Sequence, residues 1–107
     1  MQRGEVYWVD FDPARGGEIQ KRRPAVIVSN NAAARAQNRV QVVPLTSNTA
    51  IIHRWEALVQ VSGVDHKAVA DQIRTVAKER LVRLIDVLRP QDVLAVERAL
   101  RIQLDLP

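Results

Sequence analysis

The chain contains no cysteine. That excludes a disulfide scaffold, a cysteine nucleophile and thiolate metal sites. Histidine is nearly as scarce: His53 and His66 are too few for a histidine-rich metal centre. With 4 Gly and 5 Pro in 107 residues, and 47% of them hydrophobic, wholesale disorder is excluded. The longest apolar runs, such as Ala25-Val26-Ile27-Val28, fall far short of the ~18 residues needed to cross a bilayer. Behind the charge of Met1-Gln2-Arg3-Gly4-Glu5 there is no apolar signal region. These absences predict a soluble, cytoplasmic protein with no membrane partner, folded as a single domain over residues 1–107.

What is abundant is arginine. Lys and Arg total 16 against 12 acidic residues, a net charge of +4, and 13 of the 16 are arginine. The planar guanidinium makes bidentate phosphate contacts that lysine cannot copy. A small basic domain is compatible with nucleic-acid binding, although the same excess also suits an ordinary solvated surface.

No repeat or linker interrupts the chain. Gly4 to Phe11 carries β-formers and stops at the turn signal Asp12-Pro13. The polar stretch Ala14 to Arg22 reads as a long hairpin loop, the kind that tends to be functional. Arg23-Pro24 then opens a strand through Val28, with proline as an acceptable first residue. Ser29-Asn30-Asn31 cap a short helix over Ala32 to Ala36. Arg39 to Thr46 is a nearly continuous apolar strand, expected to be buried on both faces. Further strands are predicted at Trp55 to Val61, Ala68 to Val76 and Leu81 to Leu88. Pro90 starts a helix with Asp92 in its first turn, and Val93, Val96, Leu100 and Leu104 recur at helical spacing. The expected class is mostly β with a C-terminal helix (α+β): an SH3-like, strongly curved antiparallel sheet or partly open barrel.

Two stretches carry chemistry. In Glu18-Ile19-Gln20-Lys21-Arg22-Arg23-Pro24 an acid, three cations and a rigid proline stand together. Proline restricts the residue before it to extended conformations, giving Arg23 a defined direction toward a phosphate whose charge grows in a transition state. The bland alternative is a solvated basic loop. In Pro44-Leu45-Thr46-Ser47-Asn48, small hydroxyl and amide groups leave an apolar strand together, able to bond a phosphate or base edge, or simply to form a polar turn. His53 and His66 suit acid–base work on RNA by type, yet both lie in turn-like polar stretches. Asp10 and Asp12 form a D-x-D that suits Mg²⁺, although a strand end before proline accounts for it more simply. Trp8 is expected in the core. Trp55, at a strand start, is either a stacking platform for a base or a core contact.

Taken in order, these segments resemble the MazF/PemK family, the toxin endoribonucleases of bacterial toxin–antitoxin modules. The resemblance is carried by Arg3-Gly4-Glu5-Val6-Tyr7-Trp8-Val9-Asp10-Phe11-Asp12-Pro13, Gly16-Gly17-Glu18, Arg23-Pro24-Ala25-Val26-Ile27-Val28-Ser29-Asn30, Val43-Pro44-Leu45-Thr46-Ser47-Asn48, Ala70-Asp71-Gln72-Ile73-Arg74 and Leu104-Asp105-Leu106. It implies a homodimer with an RNA groove at its interface, cutting single-stranded RNA at short sequences without a metal or other cofactor. By resemblance the catalytic arginine falls on Arg23, the catalytic threonine on Thr46 and the acidic loop residue on Glu18. Two departures stand in the groove-shaping loop: Gly16-Gly17-Glu18 replaces the usual Gly-Ser-Glu, and Lys21-Arg22 is unusually basic.

On this reading the neighbouring 2′-hydroxyl is the nucleophile. Glu18 or a nearby group takes its proton, Arg23 binds the non-bridging oxygens and helps protonate the leaving 5′-oxygen, and Thr46 holds the phosphate in line. Arg15, Lys21 and Arg22 draw the strand in, and Ser47, Asn48 and Trp55 are the expected base contacts. The implied partner is a cognate antitoxin whose flexible acidic segment occupies the same groove. Two other readings are open: a gyrase-poisoning or other protein-binding toxin of the same fold, and a non-catalytic RNA-binding module. Against the first, the chain ends Leu104-Asp105-Leu106-Pro107, where the gyrase-poisoning relatives carry Trp-Gly-Ile.

Overall fold

A computed structural model describes residues 1–11 and 21–107. Seven strands and two α-helices follow in the order β1 (Glu5–Asp10), β2 (Arg22–Ile27), α1 (Asn31–Ala36), β3 (Arg39–Thr46), β4 (Glu56–Val61), β5 (Val64–Val69), β6 (Arg74–Ala77), β7 (Leu81–Val87) and α2 (Pro90–Leu104). All described pairings are antiparallel, in the order β4-β5-β3-β2-β1-β7, with β6 also on β3. The sheet curls into a half-barrel whose edges approach each other: the Ser62 amide, in the β4–β5 turn, donates to Asp86 of β7 at 2.7 Å.

Two prolines shape the curl. Val28 N donates to Gln41 O at 3.0 Å, and ladder bonds alternate every two residues in an antiparallel pair. Pro24 therefore stands where its missing amide would have faced β3, and the β2–β3 ladder ends one residue away, at Ala25↔Pro44. Pro44 lacks its donor on the opposite side of β3. There the strand changes partner, from β6 (last pair Val42↔Arg74) to β5 (first pair Leu45↔Ala68).

Alternation along the strands builds two cores. Val6, Val26, Val43, Leu45, Val59 and Ala68 pack beneath Val96 and Ala99 of α2. On the other face Val9, Phe11, Ala25, Ile27, Val40 and Val42 pack with Ala34 of α1 and Val76. β3 is buried on both faces, as its apolar run predicts. α1 starts at Asn31, one residue earlier than expected, with the Asn30 side chain accepting from Ala33 N at 2.8 Å. α2 begins at Pro90, and its first-turn carboxylate is pinned from two sides. Asp92 is buried, accepts Arg89 Nε and Nη2 at 2.9 and 3.0 Å, and accepts the Gln60 amide of β4 at 3.1 Å.

Three expectations are corrected. Pro24 is the third residue of β2, tolerated because the ladder stops there. The single strand expected over Ala68 to Val76 is two: β5 ends at Val69, a 3₁₀ turn covers Ala70–Gln72, and β6 resumes at Arg74. Trp8 is only half-buried.

Candidate active site at the open end of strands β2 and β3

Extending the β2–β3 register two residues past its last pair sets Arg23 opposite Thr46. Both share the face of Ala25 and Pro44. Arg23 is exposed and Thr46 half-buried, so a guanidinium and a hydroxyl stand just past the last β2–β3 pair, where Pro24 has no amide to give β3. The row continues across β5 and β4, because Thr46 pairs with Lys67 and Lys67 with Leu58. On the other side Arg23 pairs with buried Val9 of β1. α2 covers the opposite face, leaving this one open around Arg23.

Two cations precede Arg23. Lys21 is exposed and has φ of 62°, a left-handed backbone unusual for a residue with a Cβ. Its carbonyl accepts Phe11 N at 2.8 Å, which closes the neck of the β1–β2 loop. Arg22, also exposed, pairs with Asp10. Three cationic side chains thus stand consecutively at the start of one strand. Glu18, Arg15 and Asp12 lie outside the described residues.

Beyond Thr46 the chain makes two local turns: Thr46 Oγ1 accepts Asn48 N and Asn48 Oδ1 accepts Ala50 N, both at 3.3 Å. Ser47 and Asn48 are exposed. Trp55 is 39% exposed, and its ring lies parallel to that of His53, with centroids 4.8 Å apart and planes 7° from each other. His66 stands elsewhere, on the α2-facing side of β5 by alternation, with Nδ1 3.0 Å from Val64 O. The structure therefore does not assemble the two histidines as a couple. Arg74 places its guanidinium 4.6 Å from the centre of the Phe11 ring, under the second core.

Two residues at the site escaped the sequence reading. Glu56 is buried and accepts His53 N at 2.8 Å and Lys67 Nζ at 3.2 Å, while Lys67 Nζ also donates to Ile51 O at 2.7 Å. The stretch Val64-Asp65-His66-Lys67 reads from sequence as turn-like, which leaves Lys67 off any expected strand. The signal was the alternation Asp65, Lys67, Val69 set against Glu56, Leu58, Gln60.

The fold and this site can be set beside known proteins. The pattern of the PemK-like, MazF-like toxin of type II toxin–antitoxin systems matches residues 2–104. Endoribonuclease MazF9 of Mycobacterium tuberculosis is 42% identical over an alignment spanning 99% of this chain and 98% of that protein. Endoribonuclease MazF of Staphylococcus epidermidis is 31% identical, covering 99% and 92%. Among solved structures, a mycobacterial endoribonuclease in complex with its cognate antitoxin superimposes with a TM-score of 0.84 at 29% identity, covering 100% of this chain and 97% of that one. MazF from Deinococcus radiodurans gives 0.86 at 25% identity, covering 99% and 97%. The chain belongs to the PemK-like, MazF-like toxin family of type II toxin–antitoxin systems.

Proposed function

We propose that this toxin is a metal-independent endoribonuclease that cuts single-stranded RNA at short sequences, with Arg23 and Thr46 as the core of its site. The observation that carries the proposal is that Arg23 and Thr46 share one face just past the last pair of β2 and β3, where Pro24 offers β3 no amide. A phosphodiester lodged there meets a cation and a hydroxyl, which is sufficient if the substrate brings its own nucleophile.

The ribose 2′-oxygen attacks phosphorus as Glu18, or a group close to it, takes the 2′-hydroxyl proton. The bond from phosphorus to the 5′-oxygen breaks, and that oxygen leaves with a proton delivered from the Arg23 side. The products are a 2′,3′-cyclic phosphate, opened or not to a 3′-phosphate, and a 5′-hydroxyl. A guanidinium is a multiple donor that keeps its charge, so stabilising the growing charge on the non-bridging oxygens is the larger part of Arg23's role. Thr46 keeps the attacking and leaving oxygens in line. DNA survives because it lacks the 2′-hydroxyl.

Arg15, Lys21 and Arg22 attract the strand, and Ser47, Asn48 and Trp55 meet its bases. The same basic edge takes the acidic, flexible segment of a cognate antitoxin in the cytoplasm. The toxin works as a homodimer, whose second copy completes the RNA groove. Support comes from the consecutive cations and from relatives called endoribonucleases, one of them solved with its antitoxin.

The test is cleavage of single-stranded RNA in excess chelator with the ends mapped, repeated with Arg23→Ala and Thr46→Ala. Loss of one such donor is expected to slow cutting by about 10²–10³. Unchanged cutting by both variants removes this site, and cutting abolished by chelator returns Asp10 and Asp12 to consideration.

A further inference from the structure

Between Thr46 and β4 lies a segment that the proposed chemistry leaves almost unused, yet it is tied down at several points. Its aromatic rings, His53 and Trp55, stack parallel while staying open to solvent. Exposed aromatic surface costs free energy in water and usually ends up buried. Here it is held outward by its neighbours. The Glu56 carboxylate takes the His53 amide, Lys67 takes the Ile51 carbonyl, and the two side chains meet each other at 3.2 Å. Lys67 is the register partner of Thr46 itself. Lys67, its side chain only 16% exposed, thus connects the row containing Thr46 to the loop that carries the rings.

We infer that Lys67 is a positioning residue that clamps the His53–Trp55 ring pair as a preformed stacking platform for an unpaired nucleobase next to the cleavage edge. This rests on the function proposed above. Three observations select a base as the occupant. The rings are parallel and accessible, which suits a third flat ring continuing the stack. Exposed Arg54 lies between them in sequence, and exposed cations start β2 at the far end of the same row. Aromatic faces among cations are the elements by which proteins hold single-stranded nucleic acid. Leu58, beside Lys67 in the row, is 48% exposed and adds apolar surface to the same face.

The clamp makes the platform ready before RNA arrives. Ordering a free loop of this length on binding would cost affinity at that moment. Neutralising Lys67 therefore acts on binding, by releasing the rings, and leaves Arg23 and Thr46 in their strands.

The experiment uses the full chain and a pool of short single-stranded RNAs of randomised sequence. A fully 2′-O-methylated pool serves for binding and the unmodified pool for cleavage. Trp55 emission is taken as the part of the signal that Trp55→Phe removes. The expected results are quenching of that emission by the blocked RNA and a KM raised about five- to hundredfold in Trp55→Ala. Trp55→Phe, which keeps an aromatic face, should regain most of the loss. Lys67→Met should raise KM in the same direction with kcat within about threefold, and Lys67→Arg should recover part of it. His53→Ala should weaken quenching without removing it. Two results overturn the platform while leaving the nuclease intact: cutting with KM unchanged in Trp55→Ala, or Trp55 quenched by an acidic peptide and not by RNA. A loss in Lys67→Met that falls on kcat alone overturns the positioning role. Failure of the wild-type chain to bind or cut any RNA overturns the proposed function itself.

Discussion

Lys67→Met offers a stability test of the same clamp, independent of RNA. Methionine keeps the length of the apolar stem and removes the charge, so the Glu56 carboxylate, 6% exposed, keeps the His53 amide at 2.8 Å and loses the ammonium at 3.2 Å. Stripping one partner from a fully buried pair costs about 3–5 kcal/mol. Here the retained amide bond and the partly exposed site of Lys67 reduce this to about 2–3 kcal/mol. For a chain of this size that is a fall in Tm of about 8–12 °C. Glu56→Gln keeps the acceptor for His53 N and removes the buried charge. In the double variant no charge is left unpaired, so its loss should be smaller than the two single losses added, with a coupling of about 1–2 kcal/mol. The bond from Arg98 to Glu56 goes to the main-chain oxygen and survives every variant. Urea unfolding followed by circular dichroism, at one protein concentration for all four chains, yields the cycle. A coupling below about 0.5 kcal/mol would refute the clamp, because independent sites add to within that margin.

Tyr7 is the only tyrosine, so its titration can be followed by phenolate absorbance. Burial first, and then the Glu5 charge and hydrogen bond, hold its hydroxyl above the ordinary value of 10.0. The folded state therefore keeps a proton that the unfolded state releases. That contribution to stability is complete below the unfolded value and is lost as pH rises through the folded one. Tyr7→Phe should flatten this part of the alkaline decline; a Tyr7 that titrates at or below the ordinary value contradicts the argument. Gly4→Ala should cost about 1–2 kcal/mol in urea melts, since a side chain is strained at φ of +92° and its Cβ would sit 3.3 Å from Val93 Cγ2 of α2. RNA binding should weaken with salt by about 0.7 in the log–log slope per phosphate held, and Arg22→Ala should remove about one such increment. An unchanged slope would place Arg22 outside the groove.

Much of this protein follows from short-range rules. The apolar run of β3, the cap at Asn30, and Pro90 with Asp92 at the head of α2 each act within about four residues, and each appears in the structure where those rules put it. The motif order was sufficient to indicate the family. Arg23 and Thr46 are legible as residue types but not as neighbours, since 23 positions separate them and only the pairing of β2 with β3 brings their strands side by side. The break at Ala70–Gln72 is hidden for a related reason: no Gly or Pro marks the turn, and the chain turns where β3 exchanges β6 for β5 at Pro44. The clamp was hidden most completely. Glu56 and Lys67 stand 11 residues apart, and alternation along each segment shows which residues share a face of a strand but not which side chains meet across the pair. Local sequence set where the chain is extended, helical or capped; which residues meet depended on register, and register is a property of the assembled sheet.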